Sequence, residues 1–231
     1  MNAKLTTTFK KGLSKLLPDS EKLRYLTWLP KLESFHKSFG KQVVFLKSRN
    51  QLYDYINDLL ANKPLSYCEF GVFKGASIKY WANLNSNKDS KFYGFDTFSG
   101  LPESWDNFTG GLQKGFFDVK GKLPNIEDNR VSFYKGMFQE TLPGFIESYK
   151  SDNTLIINID ADLYSSTLFV LTKSHDIIKK GSVIIFDEFS SVLHEFRAFE
   201  DYCQAYSVAF EVLAATKSKK TYYAHVAVRI I

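Results

Sequence analysis

From about residue 66 onward, short apolar runs alternate with amphipathic stretches, and no other feature constrains the chain so much. Strands covered on both faces read as near-continuous apolar runs, and the helices that connect them read with a 3.6-residue period. The pattern therefore specifies a parallel sheet covered by helices. Strands are expected at 67–72, 92–95, 131–134, 155–159 and 182–186, and helices after Gly75, after Glu140, after Ser166 and over 194–205. Two further runs, 210–215 and 222–230, are separated by a short polar link containing Lys217, Ser218, Lys219 and Lys220, which can only join antiparallel strands.

The expected fold is α/β: a Rossmann-like, doubly wound, mostly parallel sheet of seven strands ending in an antiparallel hairpin. Residues 19–62 read as helical, with Pro18 and Pro30 as punctuation. This gives a small N-terminal helical cap over 1–62 and a main domain over 63–231.

Charge narrows the partners. The chain has 231 residues and a net charge of +5, and residues 1–24 hold six basic side chains (Lys4, Lys10, Lys11, Lys15, Lys22, Arg24) against two acidic ones (Asp19, Glu21). The remaining 24 basic and 23 acidic residues nearly cancel, so no basic channel for nucleic acid is expected through the body. Cys68 and Cys203 match no zinc, redox or disulfide-framework spacing, which fits a reducing cytoplasm. No apolar run has the length of a membrane span, and the N-terminus lacks that of a secretory signal, so a soluble protein is expected. Leu5, Phe9, Leu13, Leu16 and Leu17 share one face of a prospective helix, which would cover its own chain or a twin subunit. An anionic membrane surface is the alternative partner.

In an open parallel sheet, ligands bind beyond the carboxyl ends of the strands. Here those ends are acidic. The first strand carries Glu69 and runs into Gly71-Val72-Phe73-Lys74-Gly75, where glycines permit a tight turn and close approach of a ligand. Asp96 ends the second strand at the distance where a nucleotide fold places an acid on ribose hydroxyls. The fourth strand ends in Asp160-Ala161-Asp162 and the fifth in Asp187-Glu188. If those strands are neighbours, their ends lie about 4.8 Å apart and four carboxylates crowd one sheet edge, and an oxygen-only set there predicts a hard cation such as Mg²⁺. Asp187 and Glu188 can share one ion only if the chain turns there, because adjacent side chains of a strand point to opposite faces. The long segment 97–130, rich in Gly, Pro and aromatics, is a candidate lid.

Five ordered blocks carry a resemblance: Glu69-Phe70-Gly71-Val72-Phe73-Lys74-Gly75; Gly94-Phe95-Asp96-Thr97-Phe98-Ser99-Gly100-Leu101-Pro102; Lys135-Gly136-Met137-Phe138 with Thr141-Leu142-Pro143; Ile159-Asp160-Ala161-Asp162-Leu163-Tyr164-Ser165-Ser166-Thr167; and Phe186-Asp187-Glu188-Phe189. Over roughly 67–202 the chain resembles the class I S-adenosylmethionine-dependent methyltransferases of the macrocin O-methyltransferase family. The resemblance implies that Glu69, Gly71 and Gly75 line the cofactor pocket and that Asp96 holds the ribose. It implies that Asp160, Asp187 and the next acid, here Glu188 where the family often has Asp, bind Mg²⁺, with Asp162 as general base. Thr97 and Asp160 join the cofactor set, and Phe73, Phe138 and Trp105 are candidates to stack on adenine or substrate. His194 and Glu195, which follow the fifth strand closely, are further candidates to reach the substrate or act as base.

The expected reaction moves a methyl group from S-adenosylmethionine to a hydroxyl of a sugar or glycosylated small molecule. Two rivals remain open: a nucleotide-sugar glycosyltransferase using Asp160 and Asp162 as its metal-binding acids, and an inert cofactor-binding scaffold. A homo-oligomer through the N-terminal helices is also open.

Overall fold

Leu65–Phe70 is buried at every position and forms the central strand β2 of an eight-stranded sheet. The computed structural model describes residues 20–39, 42–107, 110–217 and 223–231. In chain order the elements are α1 (Glu21–Lys37), β1 (Val44–Leu46), α2 (Arg49–Leu59), β2, α3 (Ala76–Leu84), β3 (Lys91–Asp96), β4 (Trp105–Asn107), β5 (Gly110–Leu112), β6 (Val131–Lys135), α4 (Phe138–Ser148), β7 (Thr154–Ile159), α5 (Tyr164–Lys173) and β8 (Val183–Phe186). A π-helical turn (Val192–Phe196), α6 (Arg197–Tyr206), β9 (Phe210–Lys217) and β10 (Tyr223–Ile230) complete the chain.

The strand order is β1-β9-β10-β8-β7-β2-β3-β6, with β10 antiparallel to both its neighbours. The chain leaves β2 for β3 and β6, then returns to β7 and β8 on the other side. The winding therefore reverses between β2 and β7, and the ligand crevice of such a sheet opens there. Ile156–Ile159 of β7 and Val183–Phe186 of β8 are fully buried, as strands covered on both faces must be. Apolar clusters lie on both faces: one centres on Phe70, Phe95, Phe186 and Phe199, the other on Tyr53, Tyr67, Trp81 and Phe92. Burying each such ring contributes about 1.5–3 kcal/mol.

The sheet has eight strands where seven were expected. The additional strand, β1, pairs parallel with β9 through Val44↔Ala214, Phe45↔Ala215 and Leu46↔Thr216. Three residues are too few to show an alternation, so β1 is invisible within a stretch that reads as helical. It and α2 lie inside the stretch 1–62 expected as a helical cap, yet both are built into the sheet and its core. Ser48 caps α2 by accepting the Gln51 N–H at 3.3 Å, and α2 turns Leu52, Tyr53 and Ile56 inward. The other strands fall within two residues of expectation at each end. The first stops at Phe70 rather than Val72, because Gly71 turns the chain out of the strand with φ +94°.

Ser20 caps α1, which buries Leu32 and Phe35 on its own chain, with Phe35 5.0 Å from Phe189 and 5.7 Å from Phe196. The helix expected through Leu5, Phe9, Leu13, Leu16 and Leu17 lies outside the described residues, as does most of the link between β9 and β10. Among the described residues, no helix is long and apolar enough to cross a membrane.

Candidate active site

The crevice between β2 and β7 is built by backbone before any side chain enters it. Gly71 turns out of β2 with φ +94°, and its N–H reaches the Phe95 carbonyl at 3.0 Å. The Asp160 N–H meets the Phe70 carbonyl at 2.9 Å, so the ends of β2, β3 and β7 are fastened together. Above them lies a cavity of about 300 Å³. Gly71, Asp96, Thr97 and Asp160 line it at the strand ends, Phe73 and Phe138 from the loops beyond, and Leu101, Pro102 and Phe117 from the 97–130 segment.

The described residues of that segment cross one another. It contains the β4–β5 hairpin, a bridge between Ser99 and Asp118, and Gly100, where a Cβ would lie 2.4 Å from the Gly115 carbonyl oxygen. Phe117 meets Phe73 edge-on at 5.3 Å, and Glu103 accepts the Ser165 hydroxyl at 2.5 Å. The segment is thus tied to both the β2–α3 turn and the start of α5.

Asp160, Asp162, Asp187 and Glu188 all line the cavity. Adjacency of β7 and β8 brings them together: Ile159 pairs with Phe186, so Asp160 and Asp187 follow side by side. The chain turns at Glu188, whose carbonyl accepts the Ser191 N–H, and this lets Asp187 and Glu188 share one cavity. Asp162 has φ +59°, a left-handed conformation that Asp tolerates better than most residues.

Burial, with Glu188 and Asp187 nearby, pushes the Asp162 carboxyl up to about 7. Burial and Asp187 likewise push Asp160 up, and the same two causes raise Glu188. Asp187 goes the other way: burial works against its charge, but the His225 hydrogen bond and Arg49 outweigh it and hold it below the usual range.

Arg49, the first residue of α2, places Nη1 2.9 Å from Asp187 Oδ1 and 3.4 Å from Asp160 Oδ2. His225, on β10, places Nε2 3.2 Å from the same Asp187 oxygen. Glu195 is buried in the π-helical turn and accepts the Glu188 N–H at 2.9 Å, which fixes the turn that aims Glu188. None of these three was expected around the carboxylates, although Glu195 drew notice beside His194. One signal for Arg49 was legible: a cation in the first turn of a helix opposes the helix dipole and needs another reason to be there.

The expected ligand set of Asp160, Asp187 and Glu188 is not drawn into a cage. Among the described residues, no three His, Cys, Asp or Glu side chains are grouped so as to hold a metal ion. Two of the three carboxylates instead face one nitrogen of Arg49. The donor chemistry nonetheless fits a hard divalent cation, since four oxygen-only side chains face one cavity and their raised carboxyls mark a shortage of positive charge.

Four expected residues lie off the cavity wall. Glu69 is buried beneath it, accepts the Tyr67 hydroxyl at 2.5 Å and is pushed up to about 8 by burial. Gly75 faces Pro124, which would lie 2.7 Å from a Cβ there. His194 turns Nδ1 toward the Tyr164 N–H at 3.3 Å, at the start of α5. Trp105 lies edge-on to His194 at 6.1 Å, also away from the cavity. Asp96 lines the cavity while its oxygens accept from Val72 and Phe73 at 2.7 and 2.8 Å and from Phe98 at 2.6 Å.

Comparison with known proteins places this arrangement. The chain is 27% identical over 183 residues to the 8-demethyl-8-(2,3-dimethoxy-alpha-L-rhamnosyl)-tetracenomycin-C 4'-O-methyltransferase of Streptomyces olivaceus, covering 69% of each chain. It is 22% identical over 189 residues to the demethyldecarbamoylnovobiocin O-methyltransferase of Streptomyces niveus, covering 74% of this chain and 71% of that one. Among solved structures, the calicheamicin methyltransferase CalS11 matches with a TM-score of 0.59 at 20% identity, over 99% of this chain and 94% of the other. The O-methyltransferase from Bacillus cereus in complex with SAH matches with a TM-score of 0.53 at 14% identity, over 97% of each. The sequence model described as Macrocin-O-methyltransferase (TylF) matches residues 38–223, which sets aside the glycosyltransferase alternative. On the five blocks, the fold that assembles them and this match, the chain belongs to the macrocin O-methyltransferase family.

Proposed function

We propose that this O-methyltransferase carries the methyl group of S-adenosylmethionine to a hydroxyl of a sugar or of a glycosylated small molecule. The observation that carries the reading is the convergence of Asp160, Asp162, Asp187 and Glu188 on the cavity above Gly71. The rhamnosyl acceptor named for the tetracenomycin relative supports the substrate class.

In this reading the cofactor lies over Gly71, which lines the cavity where the chain turns out of β2. Asp96 takes a ribose hydroxyl. Its three backbone hydrogen bonds fix its orientation and leave about one of a carboxylate's roughly four acceptor sites, on Oδ1, for a ribose hydroxyl. Phe73, Phe138 and Phe117 exclude water around the sulfonium, and the 97–130 segment closes over the acceptor.

Attack on the methyl carbon must be in line with the departing sulfur, so the site's first task is to hold the acceptor oxygen behind that carbon. The new bond is oxygen to carbon, the broken one carbon to sulfur, and S-adenosylhomocysteine leaves as a neutral thioether. Asp162 accepts the hydroxyl proton; a carboxyl raised to about 7 suits a base working near neutrality. Asp160 and Asp187, with Glu188, would hold Mg²⁺ or a similar divalent cation once Arg49 has moved aside, and the ion would act as a Lewis acid on the acceptor oxygen. The free thiols of Cys68 and Cys203 support a reducing, cytoplasmic setting.

The test is methyl transfer from labelled S-adenosylmethionine to a panel of glycosides and simple phenols, with and without chelator. Thermal shifts with S-adenosylmethionine and with nucleotide-sugars run alongside. Stabilisation by S-adenosylmethionine with label appearing on glycosides is expected. Stabilisation by nucleotide-sugars alone, or no labelled glycoside, would overturn the reading.

A further inference from the structure

Asp160 and Asp187 end adjacent parallel strands, and one nitrogen of Arg49 lies between their carboxylates, at 3.4 and 2.9 Å. An ion bound through the two oxygens that Nη1 touches would stand in that same interval, with each oxygen about 2.1 Å from a Mg²⁺. Nη1 and such an ion cannot occupy it together. We propose, building on the methyltransferase reading above, that Arg49 is a resident counter-ion: it neutralises Asp160 and Asp187 in the ion-free protein and is displaced when a divalent cation binds.

Three features of Arg49 suit it to leave. Its contacts run through the single atom Nη1 rather than the two-nitrogen fork that makes arginine–carboxylate pairs strong. It occupies the first position of α2, where the helix dipole disfavours a cation. Its side chain is 33% exposed and lines the cavity, so the guanidinium has somewhere to go.

His225 explains why Asp187 stays aimed after the exchange. The Thr216 hydroxyl oxygen accepts the His225 backbone N–H at 3.2 Å and lies 2.6 Å from Nδ1, which fixes the ring. Asp187 Oδ1, a carboxylate oxygen that can only accept, faces Nε2 at 3.2 Å and so takes its proton. The imidazole reaches Asp187 from β10, a different element from the α2 that carries Arg49, so its hold does not depend on where Arg49 lies.

The test uses neither cofactor nor acceptor. Mn²⁺ is titrated into the cofactor-free protein and its binding read from loss of the free-ion paramagnetic signal, in wild type, Arg49→Gln and Arg49→Lys. Two cations competing for one place are reciprocally coupled, so Arg49→Gln should bind Mn²⁺ about five- to tenfold more tightly than wild type. Arg49→Lys, which keeps a competing cation, should stay near wild type. Ion-free Arg49→Gln should melt below wild type, and saturating Mn²⁺ should close the gap.

Equal or weaker affinity in Arg49→Gln would make Arg49 a fixed orienting partner and overturn the proposal, as would failure of Mn²⁺ to bind wild type and Arg49→Gln alike. A second measurement does not depend on Arg49→Gln folding. In arginine-labelled wild type, the Arg49 guanidinium signal, one of five, should shift as Mg²⁺ is added, and an unmoved signal would overturn the exchange. Failure here leaves methyl transfer standing, and failure of methyl transfer leaves the ion exchange standing.

Discussion

A Cβ atom on Gly71 would lie 1.7 Å from the carbonyl oxygen of Asp160. The floor of the cavity is therefore a direct backbone contact between the ends of β2 and β7, with no room for a methyl group. Gly71→Ala forces those strand ends apart and also imposes φ +94° on a residue with a side chain. Overpacking of this kind costs about 1–3 kcal/mol and a left-handed residue about 1–2 more, so a loss of roughly 3 kcal/mol is expected in urea unfolding. S-adenosylmethionine should no longer shift the melting temperature. A variant as stable as wild type would show that the two strands do not meet there.

Asp162→Asn separates proton acceptance from binding. Asn accepts the left-handed conformation of Asp162 as readily as Asp, so the turn from β7 into α5 should survive. Loss of a positioned base costs about 10²- to 10⁴-fold, and kcat should fall by that much while the cofactor dissociation constant holds. An unchanged kcat would remove Asp162 from the chemistry.

Much of this site is legible in the sequence because strand-end acids of a parallel sheet are adjacent in space whenever their strands are. Asp160 and Asp187 could be paired on that ground alone, and β7–β8 adjacency does pair them. What stayed hidden comes from long range. Arg49 lies 111 residues before Asp160, and His225 arrives on the antiparallel return strand, and no local periodicity encodes either meeting. Strand β1 stayed hidden for a different reason: its pairing with β9 is purely tertiary and its three residues show no pattern. Gly75 and Glu69 show the limit of motif reading, since a motif fixes which residues recur but not which of them face the ligand. Gly75 is needed where Pro124 crosses, and Glu69 lies under the floor.

Arg130 stabilises the fold away from the cavity. Its guanidinium donates to the carbonyls of Ala82, Asn85 and Asn87 at 2.6, 2.7 and 2.9 Å, and to Asp128 at 2.7 Å. It thereby closes the carboxyl end of α3, whose last carbonyls have no partner within the helix. Arg130→Ala leaves those acceptors and Asp128 unmatched. Hydrogen bonds to a charged group contribute about 1.5–3 kcal/mol each but not additively, so a loss of about 2–4 kcal/mol is expected in chemical denaturation. The shift in melting temperature caused by S-adenosylmethionine should persist. A variant that loses cofactor response before stability would place Arg130 in the site instead.

His36 gives a pH dependence whose sign is fixed by its direction of shift. On α1, packed edge-on to Tyr223 at 4.7 Å, it is lowered by burial from 6.5 to about 4. The unfolded chain takes up a proton below about 6.5 where the folded chain does not, so the stability from neutral His36 is present above that pH and lost as pH falls toward 4. For a half-buried group screened by solvent, the loss is about 1 kcal/mol. Glu69 and Asp162, raised to about 8 and about 7, act in the opposite sense, gaining stability as pH falls through those values. Total stability therefore mixes both trends, and only the difference between wild type and His36→Phe isolates the histidine. That difference should move in favour of the variant by about 1 kcal/mol between pH 7 and 5. A difference that stays constant across the window would mean that His36 titrates alike in the folded and unfolded chain.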